Sequence, residues 1–123
     1  MGLYREEETF KIIGVCMEVH RNLGPGLLEV VYKDALEIEF KANNLPFERE
    51  KEFSIEYKGV ILPHKFYADF IVNEDIVLEV KAVKEFSGEH TAQVLNYMKL
   101  SESEIGLLVN FQNKSLQHKR LVF

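Results

Sequence analysis

Asp69 lies inside the apolar run Phe66-Tyr67-Ala68-Asp69-Phe70-Ile71-Val72, although aspartate is a poor strand former. Further on, Leu78-Glu79-Val80-Lys81 puts Glu79 and Lys81 on one face of an extended chain, with Leu78 and Val80 on the other. If the two segments pair around Asn73-Glu74-Asp75, Asp69 and Glu79 come opposite or nearly so. Adjacent carboxylates repel, and each raises the other's pKa. A cation between them removes that penalty. Carboxylate oxygens with a backbone carbonyl are hard ligands of the kind Mg²⁺ or Mn²⁺ takes. The plain alternative is an Asp/Glu/Lys salt-bridge ladder on a solvent-facing strand, the better reading for Glu79 and Lys81 taken alone.

What moves the balance is the coincidence of Glu79 and Lys81 with Asp69 and Glu29. Glu29 shares a helical face with Tyr32, Leu36 and Phe40, so its carboxylate points along an apolar stripe, where an unpaired charge is costly. Its bland account is a first-turn acid favoured by the helix dipole. Gln93 and Tyr97 are spaced to share one face of a later helix, with His90 a turn before them. Alone they read as surface and packing residues; beside a metal they become clamps, Gln93 for a phosphate or a water and Tyr97 for stacking or a hydrogen bond. Cys16, the single cysteine, reads as packing.

These residues need a scaffold, and the chain spells one out. From Glu7 to Leu23, Phe10, Ile13, Cys16, Met17 and His20 recur at three- and four-residue steps, predicting an amphipathic helix. Gly24-Pro25-Gly26 stops it. A second helix is expected from about Leu27 to Asn43. Segments rich in Phe, Ile, Val and Tyr follow at Phe47 to Tyr57, Val60 to Val72 and Ile76 to Val83, with turn residues Lys58-Gly59 and Asn73-Glu74-Asp75 at the joints. They predict three antiparallel strands. A third helix is expected from Gly88 to Leu100, then a strand from Ile105 to Phe111 buried on both faces, and a last strand from Leu116 to Val122. The order ααβββαββ predicts an α/β (α+β) fold in one domain over residues 1–123. The strand after the third helix should pair in parallel with an earlier one through a crossover.

At 123 residues, 46% hydrophobic and 28% charged, the chain suits one soluble globular domain. The longest apolar runs fall far short of a membrane span, and Arg5, Glu6, Glu7 and Glu8 stand where a secretory signal would be apolar, so the expected location is cytoplasmic with no membrane partner. A net charge of −5 argues against gripping nucleic acid by bulk electrostatics. The stretch after Glu104 does carry Lys114, Lys119 and Arg120 with no acid. No Walker loop, zinc-ligand spacing or nucleophile elbow is present in the sequence.

Glu18-Val19-His20-Arg21-Asn22-Leu23-Gly24-Pro25-Gly26-Leu27-Leu28-Glu29-Val30-Val31-Tyr32 resembles the signature of the small bacterial GxxExxY proteins, with Gly26, Glu29 and Tyr32 at the named positions. That family is placed in the PD-(D/E)XK nuclease superfamily, and the resemblance runs from about Phe10 to Val122. It implies a restriction-endonuclease-like core with a mixed five-stranded sheet flanked by helices. The superfamily's helix carboxylate would be Glu29, its motif aspartate Asp69 and its E-x-K Glu79-Val80-Lys81. The Q-x-x-x-Y of the RecB-like branch falls on Gln93 and Tyr97. Asp69, Glu79, the Val80 carbonyl and Glu29 would then hold Mg²⁺ or Mn²⁺, and Lys81 would serve the attacking water. Glu18 and His20 would be supporting hydrogen-bonding residues. The implied activity is phosphodiester hydrolysis, with DNA the expected substrate. A chain so near a minimal catalytic core also points to a homodimer or a partner protein. The competing expectation is a non-catalytic nucleic-acid- or protein-binding module that keeps the fold.

Overall fold

The computed structural model describes residues 5–123. Helix α1 (Glu6–Leu23) opens with three acids in its first turn and closes with His20 and Arg21 in its last, charges that suit the two ends of the helix dipole. Gly24 ends it at φ 72, a left-handed backbone that glycine adopts without steric cost, and the Gly24 N–H bonds the His20 carbonyl at 2.8 Å. The buried face is Thr9, Ile12, Val15, Cys16, Val19 and His20. This corrects the expected stripe, because Phe10 and Met17 are exposed, at 77% and 41%. Apolar residues occupy two adjacent stripes of this helix, and periodicity alone fits both. The stripe carrying the stiff, β-branched Ile12, Val15 and Val19 is the one that joins the core.

Helix α2 (Glu29–Ala42) begins later than the expected Leu27, because the chain before it is held as a turn by Tyr32. The Tyr32 hydroxyl donates to the Gly24 carbonyl at 2.6 Å and accepts from the Leu27 N–H at 3.1 Å. Its ring, fully buried, stacks on Phe111 at 4.4 Å. Leu36 and Phe40 continue the same buried face.

Strands β1 (Phe47–Tyr57) and β2 (Val60–Val72) form a long hairpin. Its tip, Lys58-Gly59, has φ 49 and 81, the two positive values a two-residue type I′ turn requires. Strand β3 (Ile76–Lys81) returns antiparallel to β2, and helix α3 (Gly88–Ser101) then leads to β4 (Ile105–Asn110), which lies parallel to β3. Strand β5 (Gln117–Val122) closes the five-stranded mixed sheet in the order β1-β2-β3-β4-β5. Strand β3 stops short of the expected Val83 because the Asn110 side chain satisfies that residue's backbone, accepting from its N–H at 3.0 Å and donating to its carbonyl at 2.7 Å.

The sheet is covered on both faces. Helices α1 and α2 pack on Phe70, Val72, Ile76, Leu78, Val80, Ile105, Leu107 and Val109. On the other side α3 sets Val94, Tyr97 and Met98 against Ala68, Ile71, Val77 and Leu108. Gly106 allows that approach, since a Cβ there would stand 2.5 Å from Val94 Cγ1 and 2.6 Å from Met98 Sδ. Each buried aliphatic side chain contributes about 1.5–3 kcal/mol, so the exposed Phe10 face of α1 contributes little. Cys16 packs in this core with its thiol pushed up to about 12 by burial, a protonated, inert group. Among the described residues no helix is long and apolar enough to cross a membrane.

Candidate active site

Strands β2 and β3 pair from Val72↔Ile76 to Phe70↔Leu78, and there the ladder ends. The next pair in register would be Asp69 opposite Glu79, and at that point side chains replace backbone. The Asp69 N–H donates to Glu79 Oε2 at 2.7 Å, and the Val80 N–H donates to Asp69 Oδ2 at 2.8 Å. Each carboxylate thus reaches across to the partner strand and satisfies an amide that the opened ladder would leave unpaired.

The opening coincides with a roll in the β1–β2 ribbon. Phe70 and Val72 face α1 and α2, whereas Ala68 and Phe66 face α3, so the alternation slips by one at Asp69. The facing strand slips at the same level, with Phe47 on the α1/α2 side and Phe53 on the other. Glu50, between the paired Arg49↔Phe70 and Lys51↔Ala68, takes up the irregularity at φ 53. A left-handed conformation outside glycine costs roughly 1–2 kcal/mol, so this roll needs support. It comes from α2. Lys33 Nζ bonds Asp69 Oδ1 at 2.9 Å and pairs with Glu50, while Arg49 meets Asp34 at 2.7 Å and Glu37 at 3.6 Å.

Glu79 is only 2% exposed. Burial, and then the Asp69 charge, push its pKa up to about 8, against the bond from the Asp69 N–H and the charges of Lys81 and Lys33. Lys33 shows the opposite balance. Burial works against its charge, but the bonds to Glu50 and Asp69 win and hold it above the ordinary lysine value.

The other expected residues fall in two groups. Glu29, at the first turn of α2, accepts from the Ala82 N–H at 3.1 Å and so clasps the chain just beyond Lys81. Lys81 ends β3 half-buried, its carbonyl accepting from the Phe111 N–H at 2.9 Å. Val80 buries its side chain under α1 and α2. On α3, Tyr97 is buried against the sheet, and its pKa is raised by burial and then by the charges of Glu79 and Asp69, with the Gln93 side chain acting the other way. His20 and Glu18 stand apart. His20 Nε2 bonds the Asn113 carbonyl at 2.8 Å, tying α1 to the turn before β5. Glu18 pairs with Arg21 and accepts from Asn22 Nδ2 at 2.9 Å, all on the exposed side of its own helix. His90 caps α3, accepting from the Ser87 N–H at 3.0 Å.

The oxygens that meet at the opening are those of the Asp69 and Glu79 carboxylates, hard donors of the kind a divalent cation takes, and a buried carboxylate beside another is eased by one. By donor chemistry the residues fit such an ion. The convergence of three carboxylates on one cation is met only in part. Asp69 and Glu79 interlock, Glu29 bonds further along the chain, and among the described residues no three His, Cys, Asp or Glu are grouped to hold an ion. Sequence reasoning missed Lys33 and Glu50. Lys33 had a signal: it stands four residues after Glu29 on the same helix face.

Comparisons with known proteins bear on this arrangement. Residues 6–121 match the sequence model of the PD-(D/E)XK nuclease superfamily. A solved structure titled "Crystal structure of SSO0001" is similar at 27% identity and a TM-score of 0.59, covering 75% of this chain and 49% of that one. The likeness therefore spans about half the length of that protein. No curated protein matches. A match to the family over nearly all of the described chain, together with the mixed five-stranded sheet and an Asp…Glu-x-Lys junction at its opening, leads to one assignment: the chain belongs to the PD-(D/E)XK nuclease superfamily.

Proposed function

We propose that residues 1–123 form one domain that hydrolyses phosphodiester bonds in nucleic acid, DNA first, with Mg²⁺ or Mn²⁺ as cofactor. The observation that carries this reading is the opening between β2 and β3, where Asp69 and Glu79 cross over and Lys81 follows on the Glu79 face. Asp69, Glu79 and the Val80 carbonyl would hold the cation, with Glu29 joining directly or through water. When bound, such an ion supplies Lewis-acid polarisation of a phosphate and a more acidic water.

The protein's own groups do the rest. Lys81 orients or helps deprotonate the attacking water and offsets charge that builds on the phosphate oxygens. Glu29, by holding the Ala82 amide, fixes the strand end that carries Lys81. Gln93 contacts a phosphate or a water, and Tyr97 stacks or donates a hydrogen bond from the α3 side. With a net charge of −5, the grip on substrate is local, and a second copy or a partner protein would enlarge it.

The test is incubation of the purified protein with single- and double-stranded DNA and RNA, with and without Mn²⁺. Metal-dependent cleavage is expected, reduced about 100-fold or more by Lys81→Ala. The Mn²⁺-induced rise in Tm should survive Lys81→Ala and vanish in Glu79→Ala. Cleavage indifferent to Lys81→Ala removes that residue from the chemistry. A second reading, a binding module without turnover, is favoured by the engagement of all three carboxylates with backbone amides. It predicts retention of nucleic acid or a partner protein with no cleavage under any metal.

A further inference from the structure

Asp69 has two oxygens with different neighbours. Oδ2 accepts the Val80 amide at 2.8 Å, a bond that bridges the opening between the strands. Oδ1 is held by the Lys33 ammonium at 2.9 Å. Both side chains of that ion pair are largely enclosed, with 13% and 16% of their surface exposed. Lys33 has a second acidic partner, Glu50 on β1, whose side chain is 47% exposed. One ammonium is thus shared between an inner carboxylate and an outer one.

A divalent cation bound to Asp69 through Oδ1 would meet a positive charge already on that atom. Two cations on one oxygen repel, and in a poorly solvated site the repulsion is weakly screened. The ammonium has somewhere to go, because Glu50 keeps it paired if it leaves Asp69.

We propose that Lys33 is a resident counter-ion that competes with a divalent cation for Asp69 and withdraws to Glu50 when the cation binds. The proposal rests on the metal-site reading above, and it adds that the chain sets its own metal affinity from α2. Lys33 is then a positioning residue: it acts on the site through Asp69 and Glu50.

Calorimetric titration of the whole protein with Mn²⁺, without nucleic acid, tests this on binding alone. Lys33→Met should bind Mn²⁺ about tenfold more tightly than the unaltered chain, a typical coupling between ligands that share a group. Its Tm in chelator should fall, and added Mn²⁺ should close the gap. Lys41→Met, which removes the same charge from an exposed position of α2, should leave the affinity unchanged. Glu50→Gln deprives the displaced ammonium of its refuge and should weaken Mn²⁺ binding several-fold, a second measurement that stands if Lys33→Met does not fold. Equal or weaker binding by Lys33→Met, or an equal gain in Lys41→Met, overturns the competition while leaving the metal site intact. No Mn²⁺ uptake by the unaltered chain or by Lys33→Met overturns the metal reading and the competition together.

Discussion

Between β3 and β4 the backbones pair without a break from Ile76↔Ile105 to Lys81↔Asn110, whereas β2 and β3 part after Phe70↔Leu78 and are joined beyond it by carboxylates. The first junction is buried on both faces and owes nothing to ionisation. The second is made of groups that a proton, a lysine or a metal ion can address. The difference shows how one sheet holds a frame and a responsive seam side by side: the frame uses amides, whose bonds do not titrate, and the seam uses acids.

The largest test of that contrast is pH. The pKa of Glu79 in the fold, about 8, stands above its ordinary 4.5, so the folded chain holds that proton more tightly than the unfolded one. Its stabilising contribution is complete below the unfolded value and is lost as pH rises through the folded one. In chelator, stability should therefore decline from pH 5 to pH 8 by up to about 1.4 kcal/mol per unit, and Glu79→Gln should flatten the decline. Calorimetric Tm values at four pH points decide it; an equal slope in the variant would place the titrating group elsewhere.

Next in size is Gly106→Ala in the frame. Its new methyl collides with Val94 and Met98 of α3, and chemical denaturation should show a loss of about 1–3 kcal/mol at every pH. A pH-dependent loss would blur the division between frame and seam. Smallest is Gly59→Ala at the ribbon tip, where nothing lies within 4 Å of a new Cβ and only the φ of 81 is offended. About 1 kcal/mol is expected there, with no change in Mn²⁺ affinity. A larger effect on binding would mean that the ribbon transmits strain to the Glu50 roll.

Much of this arrangement is readable in the chain. The bounds of β1 and β2 follow from Lys58-Gly59, which ends one strand and begins the next, but the register set by that turn holds only to Glu56↔Ile61 and shifts before Ser54↔Lys65, which no residue in the sequence announces. Asp69, Glu79 and Lys81 are conspicuous since acids inside apolar strands cost free energy. The interlocking of the carboxylates with opposite amides is not readable, because it depends on where the ladder stops, a property of the ribbon's roll. Glu50 is invisible for a related reason: nothing in Arg49-Glu50-Lys51 distinguishes a left-handed glutamate from an exposed strand residue. The buried face of α1 is not legible either, because Phe10 and Ile12 begin equally good apolar stripes, and only the sheet chooses between them.

The Tyr32 hydroxyl, which binds both sides of the Gly24–Leu27 turn while its ring lies on Phe111, makes the distance along the chain from Gly24 to Tyr32 a fixed gauge. One residue added inside α2 between Glu29 and Tyr32 would rotate Glu29 by about 100° around the helix axis, out of reach of Ala82. Side chains in this interval can vary more freely than its length, so insertions and deletions should be far less tolerated there than substitutions of the exposed Leu28 or Val30.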